Sequence, residues 1–350
     1  MNNLSLNFLK TLLLTLKNGK NLTEALALME YHTPEKKEQK IYANIRKDVQ
    51  SGMAFSQSFG ARMSASKEIV QFVAMAEQGS SFRAMLEKVI YFLEQKERFY
   101  QESSDKIGLP ILYFSLSTLI VLFVNFWAIP SHIEESLQYS KEIQALIAGH
   151  LALAEMMGHV LFGLLLMGAF YFFIVMSALF SQERWIQLIA KPIALVLPVA
   201  SKLIRFFEKF VLLTLVGEML QNGIAFKKTM QSAAKSTDIA EFKYGFGAIL
   251  QKVSQGNPQW WESAIFEKLE QSLLFGAGSM PQVGEVMVQL GENARMKALT
   301  LGSKFFRLMS VVSILLMVMA VFIEFFTVIL TQVLIQKGMI NAVEGVPGGF

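Results

Sequence analysis

Few side chains in this chain could do chemistry, and they do not gather. The 350 residues include no cysteine, so disulfides, thiolate nucleophiles and cysteine-ligated metals are excluded. The four histidines are His32, His132, His150 and His159. None has a second histidine at the i,i+4 spacing of a zinc-binding helix, and no glycine-rich loop ending in Gly-Lys-Ser/Thr is present to cradle a phosphate. No catalytic, cofactor-binding or metal-binding residue is therefore assigned, and the expectation is a protein that is not an enzyme. The sharpest residue is Glu324, which interrupts an apolar run over 308–336. A carboxylate inside a membrane helix costs roughly 2.5–3.5 kcal/mol on insertion scales, so it faces protein or water and tends to serve function. Either Glu324 lines a groove that handles another membrane helix, or it snorkels, or it bonds Thr327 or Ser117 in a helix contact. Trp260-Trp261 could anchor a partner, because tryptophan is enriched at interface hot spots; core packing of at least one ring is the alternative. Lys36-Lys37 and Lys227-Lys228 could meet acidic surfaces or lipid headgroups, or simply be solvated helix starts.

The elements that must carry these residues are repeated. Leu16-Lys17-Asn18-Gly19 answers Leu220-Gln221-Asn222-Gly223, and Val49-Gln50-Ser51-Gly52 answers Val253-Ser254-Gln255-Gly256. Both pairs share one offset, since 223 − 19 and 256 − 52 each give 204. Two marks at one offset indicate tandem duplication of a helical unit plus a membrane span. Further along the offset slips to about 201, which places Ala76-Glu77 opposite Ala277-Gly278.

The chain is 53% hydrophobic, too apolar for an ordinary soluble protein. Its net charge of +4 gives no support for nucleic-acid binding; basic faces beside anionic lipid fit better. Three runs, 107–131, 158–181 and 308–336, are long enough to cross a bilayer core, which needs about 20 apolar residues. Segments 1–106 and 181–307 each hold 15 Lys and Arg, whereas 132–157 holds Lys141 against Glu134, Glu135, Glu142 and Glu155. The excess of cations on cytoplasmic flanks then gives cytoplasmic domains at 1–106 and 182–307. It makes 132–157 a short acidic periplasmic loop and 337–350 a periplasmic tail. The N-terminus has no signal-peptide cleavage pattern and is expected in the cytoplasm.

Both cytoplasmic halves read as antiparallel helices. Leu4, Phe8, Leu12 and Leu16 share one helix face. Asn21 with Glu24 forms a capping box, Thr33-Pro34 starts a helix, and Ser66 caps another. Glu94–Arg98 pairs at i,i+4 in a mixed-charge stretch leading to the first span, either a solvated face or a lever to the membrane. The segment 191–201, with Pro192 and Pro198, is too short and broken to span and suits a lipid interface or domain entry. The fold class is an all-α membrane protein: two tandem helical bundles of about five or six helices each, plus three transmembrane helices.

At this point the chain resembles the inner-membrane platform proteins of type IV pilus and type II secretion machines. Residues 8–130 and 206–330 look like two copies of that family's duplicated domain. The first copy carries Asn18-Gly19, Thr23-Glu24-Ala25-Leu26, Gly52, Phe55-Ser56-Gln57-Ser58-Phe59 and Ala76-Glu77-Gln78-Gly79 with Phe82 and Leu86. The second carries Phe206, Leu213, Gly223, Thr229-Met230 and Gly256. It departs at Gly278-Ser279-Met280-Pro281, where the family pattern suggests an acidic residue, and at Trp260-Trp261; such divergence fits a type IVb pilus branch. The resemblance implies a multi-pass protein of the bacterial inner membrane that couples a hexameric assembly ATPase to insertion of major and minor pilins. It also implies contact with other inner-membrane assembly proteins and a homo-oligomer. On this reading Glu324 is the candidate pilin-handling residue; Glu77, Gly79, Trp260 and Trp261 are the candidate docking residues. The rival reading is a small membrane transporter or signalling receptor with cytoplasmic helical domains.

Overall fold

The computed structural model describes residues 3–63, 65, 67–78, 82–181 and 184–344. All regular structure among them is helical. In chain order the helices are α1 (Asn3–Lys17), α2 (Leu22–His32), α3 (Lys36–Gln50), α4 (Phe55–Met63), α5 (Lys67–Gln78) and α6 (Phe82–Ser104). Then come α7 (Gly108–Phe123), a π-helical turn (Val124–Ala128), α8 (Ile129–Ser136), α9 (Lys141–Phe180) and α10 (Arg184–Val196). The series ends with α11 (Ala200–Gln221), α12 (Phe226–Ser236), α13 (Ala240–Ser254), α14 (Lys268–Phe275) and α15 (Met280–Glu344). The chain divides into two compact units, one of 1–101 with 202–300 and one of 102–201 with 301–350.

The repeat read from sequence is visible in the first unit. Helices α2 and α12, and likewise α3 and α13, begin and end at residues that correspond across the repeat. Ala25, Leu26, Met29, Tyr42 and Ile45 are buried, and so are their counterparts Thr229, Met230, Ala233, Phe246 and Ile249. The turn glycines match in conformation as well. Gly52 and Gly256 have φ of 90° and 71°, and Gly19 and Gly223 have 83° and 75°, a region where side chains are strained. After α3 the Met53 N–H donates to the Asp48 carbonyl at 3.0 Å, and after α13 the Asn257 N–H donates to Lys252 at 2.9 Å. Each is the long bond of a Schellman cap.

Local readings fare unevenly. Asn21 and Glu24 do form a capping box, with bonds of 2.9 and 3.4 Å. Thr33, however, closes α2: its N–H and hydroxyl both donate to the Met29 carbonyl. Pro34 keeps Thr33 extended and so ends α2, and helix α3 starts only at Lys36, after Glu35 as its extended N-cap. Glu94 reaches across to Lys10 of α1 at 2.8 Å. The cap expected at Ser66 lies outside the described residues.

The two copies share a core. Phe92 of α6 stacks near Phe72 and Phe210, with centroids 5.5 and 6.4 Å away, and Phe99 meets Phe207 at 4.6 Å. Helix α11 is the hub: every residue from Lys209 to Leu220 is buried. A helix buried all round needs neighbours on every side, and both copies supply them. Three glycines bring α15 against α11. A Cβ on Gly284 would lie 2.7 Å from the Gly217 carbonyl oxygen, and one on Gly291 would lie 2.7 Å from the Thr214 hydroxyl. At the other end of the hub, Lys209 Nζ donates to Glu270 Oε2 at 2.5 Å, with both side chains under 10% exposed.

The copies differ where α4 stands. The second has an irregular stretch over 255–267, entered at Asn257-Pro258. Gly245 of α13 opens the space for it, since a Cβ there would sit 2.3 Å from Ile265 Cγ1.

Among the described residues, three helical stretches are long and apolar enough to cross a membrane: Phe82–Ser136, Lys141–Phe180 and Met280–Ile340. Their most apolar windows are only 22–28% buried, so most of that surface demands an apolar surrounding. Helices α7, α9 and α15 meet around Val121, Val124, Leu161, Leu165, Leu316, Ala320 and Ile323. Most of the segment read as an outer loop is helical, in α8 and the start of α9, and α15 continues past 337. Its charges are spaced around leucine- and alanine-rich sequence, which propagates a helix readily.

Candidate functional site

Glu77 is consumed inside the fold. Its carboxylate accepts from the Phe55 N–H at 2.7 Å, the Ser56 N–H at 3.2 Å and the Ser56 hydroxyl at 2.8 Å. Those amides are orphan donors at the start of α4, so a side chain on α5 caps a helix about twenty residues away. The second copy lacks both that helix and an acid, having Gly278 at the matching place. Hydrogen bonds to charged groups are worth about 1.5–3 kcal/mol. Glu77→Ala should therefore lower the urea midpoint of the detergent-solubilised chain by a corresponding amount, and Glu77→Gln by less. Gly79 lies outside the described residues.

Trp260 is only 8% exposed and packs edge-on against Phe226, centroids 4.8 Å apart. It is core, because the irregular stretch that replaces a helix needs a large ring to fill the space. Trp261 is half-buried and touches Phe275 at 5.4 Å. Leu269, Leu273 and Phe275 of α14 are 73%, 48% and 69% exposed, so Trp261 borders an apolar surface.

Glu324 has a partner that the sequence did not reveal. Its Oε1 lies 3.0 Å from His132 Nε2 on α8, and His132 Nδ1 lies 3.8 Å from Glu135 Oε2. The second carboxylate oxygen, Oε2, is buried with no hydrogen-bond partner among the described residues. Thr327 and Ser117, the partners expected, are engaged elsewhere. Thr327 bonds the Ile323 carbonyl, and Ser117 bonds those of Tyr113 and Ser313. A π-helical turn, Val124–Ala128, delivers His132 to this position. Pro130 has no N–H and crowds the carbonyl four residues back, and the turn before it widens so that the Ile129 N–H bonds Val124. Such turns recur at functional sites. Asn125, in the same turn, fits only because α9 has Gly158 beside it: a Cβ there would lie 2.7 Å from Asn125 Oδ1. Farther out, His150 Nε2 is 3.4 Å from the Thr327 carbonyl.

One signal could have found the pair. Contacts between the first and third spans keep a steady separation, 197 residues for Lys106–Ser303, 196 for Ser117–Ser313 and 192 for His132–Glu324. Parallel helices in register behave this way. Counting outward from the cationic end of each span, His132 and Glu324 are the first charge-capable residues other than tyrosine.

Comparison with known proteins shows what the chain is similar to. The family described as type II secretion system protein F matches residues 8–130, the extent of the first repeat. This part of the chain is similar to that family. Among relatives, a protein transport protein HofC homolog of Escherichia coli is 22% identical over 249 residues, 70% of this chain. The type IV pilus assembly protein PilC of Thermus thermophilus is 24% identical over 178 residues, 51% of this chain. The alignments span 61% and 42% of those relatives' own lengths. Within the protein F match lie Glu77 with its cap on α4 and most of the turn that positions His132.

Proposed function

We propose that this protein is a non-enzymatic inner-membrane platform of a type IV pilus or type II secretion machine, with the first unit in the cytoplasm and α7, α9 and α15 in the bilayer. One observation carries the reading: a protein F repeat and its partner copy fold around one hub helix, and their last helices, α6 and α15, continue toward apolar spans. A body so built does not deform piecemeal. A hexameric assembly ATPase pressing on it would move the spans, which guide pilin subunits into the filament base. The exposed row Leu269, Leu273 and Phe275, with Trp261 at its border, is the surface offered to the motor. In-cell photocrosslinking from position 273 tests this; capture of an assembly ATPase supports it, and capture of neither ATPase nor pilin sinks it.

Glu324 enters as a pilin-handling group whose Oε1 is held by His132 and whose Oε2 is buried with no partner among the described residues. Glu324→Gln is expected to reduce filament number at unchanged protein level. A parallel fall in protein level would reassign the residue to packing between α8 and α15.

A further inference from the structure

Helix α10 has an outer face that nothing among the described residues covers. It begins four residues after α9 ends, folds back along it, and is fixed there by the Tyr171 hydroxyl donating to the Pro198 carbonyl. Its inner face is small, with Ala190 and Ala194 buried. Its outer face consists of Trp185, Leu188, Ile189, Pro192, Ile193 and Val196, all exposed, at 63%, 63% and 60% for the first three and 85% for Val196. These positions recur with the period of one helix side, and none of them is polar. A helix apolar on both its packed and its open side is a helix out of water.

We propose that α10 is a membrane-embedded helix seated in the single leaflet that the Phe180 end of α9 reaches, with its outer face on lipid acyl chains. Three observations choose lipid over a protein partner. Helix α9, against which α10 packs, carries exposed apolar residues of its own: Met167, Phe170 and Phe173 are 63%, 60% and 68% exposed. Within α10 the charges are Arg184 and Lys191, with no acid, a balance that suits an anionic leaflet surface. At thirteen residues, α10 is about 20 Å long, too short to cross a bilayer core of about 30 Å but long enough to enter one leaflet. Pro192, costly inside a water-exposed helix, is the kind of residue membrane helices tolerate.

The inference rests on α9 spanning the bilayer, and the test separates the two claims. The chain has no cysteine, so single cysteines can be placed in the full-length protein in broken membranes with both faces open to a charged maleimide. Tyr31→Cys, at an 80% exposed site on the first unit, should label readily, and Met167→Cys should not. Ile189→Cys and Val196→Cys are expected to resist labelling as Met167→Cys does. In a second arm, Trp185 is left as the only tryptophan by Trp127→Phe, Trp260→Phe and Trp261→Phe, and the chain is placed in nanodiscs of brominated lipid. Trp185 should lose most of its fluorescence there. Labelling of positions 189 and 196 at the rate of position 31 would overturn the proposal. Protection without quenching would also overturn it, because the cover would then be protein. Labelling at position 167 would overturn the span and the proposal together.

Discussion

Gly284→Leu should abolish the cooperative thermal unfolding of the first unit. Beside Gln221 Cγ at 2.9 Å, a Cβ at this position would meet two backbone atoms: the Gly217 carbonyl oxygen at 2.7 Å and the Gln221 nitrogen at 2.9 Å. Neither can swing aside as a side-chain tip could, so α15 must lift away from α11. Overpacking typically costs about 1–3 kcal/mol, and more where backbone must shift. The lost contact is also with the helix that both copies share. Gly276→Ala is the control. Its nearest neighbours would be 3.6 Å from the new Cβ, so the melting curve should barely move. Loss of the transition in Gly284→Leu, with fast proteolysis inside 1–101, is the expected result. A normal melt would mean that the close crossing contributes little.

Lys209→Met should be nearly as damaging, for an electrostatic reason. Lys209 and Glu270 are both buried and in contact at 2.5 Å. Removing one partner strands a charge in a dry site, at a cost of about 3–5 kcal/mol. Adding Glu270→Gln should restore most of the loss in denaturant midpoint, since the amide still accepts from the Glu267 N–H, a bond of 2.8 Å in the native protein. Failure of the double variant to recover would show that packing of the lysine stem matters more than charge. Nearby, the Lys297 ammonium holds the Glu267 carboxyl below its usual range through hydrogen bonds at 2.9 and 3.1 Å. The folded pKa is lowered, so this contribution is present above the ordinary carboxylate value. It fades as acid takes the pH down through the folded value.

Periodicity and repetition were legible in sequence; long-range pairing was not. The turn glycines, the capping box at Asn21 and the apolar stripe of α1 all express local geometry, and local geometry is written in neighbouring residues. The shared core was hidden because Phe92 and Phe210 are more than a hundred positions apart, and either could equally have closed its own bundle. Trp260 and Trp261, identical in sequence context, divide between core and surface only through the loss of a helix in the second copy. Glu77 read as a docking residue because its three donors lie on another helix. His132 and Glu324 are each ordinary alone; only the register of two parallel spans brings them together.

The hub position of α11 also constrains how the protein is made. Residues 1–101 leave the ribosome about a hundred residues before Lys209–Leu220 exist, roughly 5–20 s at ordinary synthesis rates. Throughout that interval Phe92 and the rest of the inward side of α6 have no lid, while α7 and α9 are being handed to the insertion machinery. The N-terminal half must therefore wait, incomplete and sticky, for its own duplicate. Nascent chains stalled before residue 209 should bind chaperones that nascent chains stalled well beyond residue 300 release.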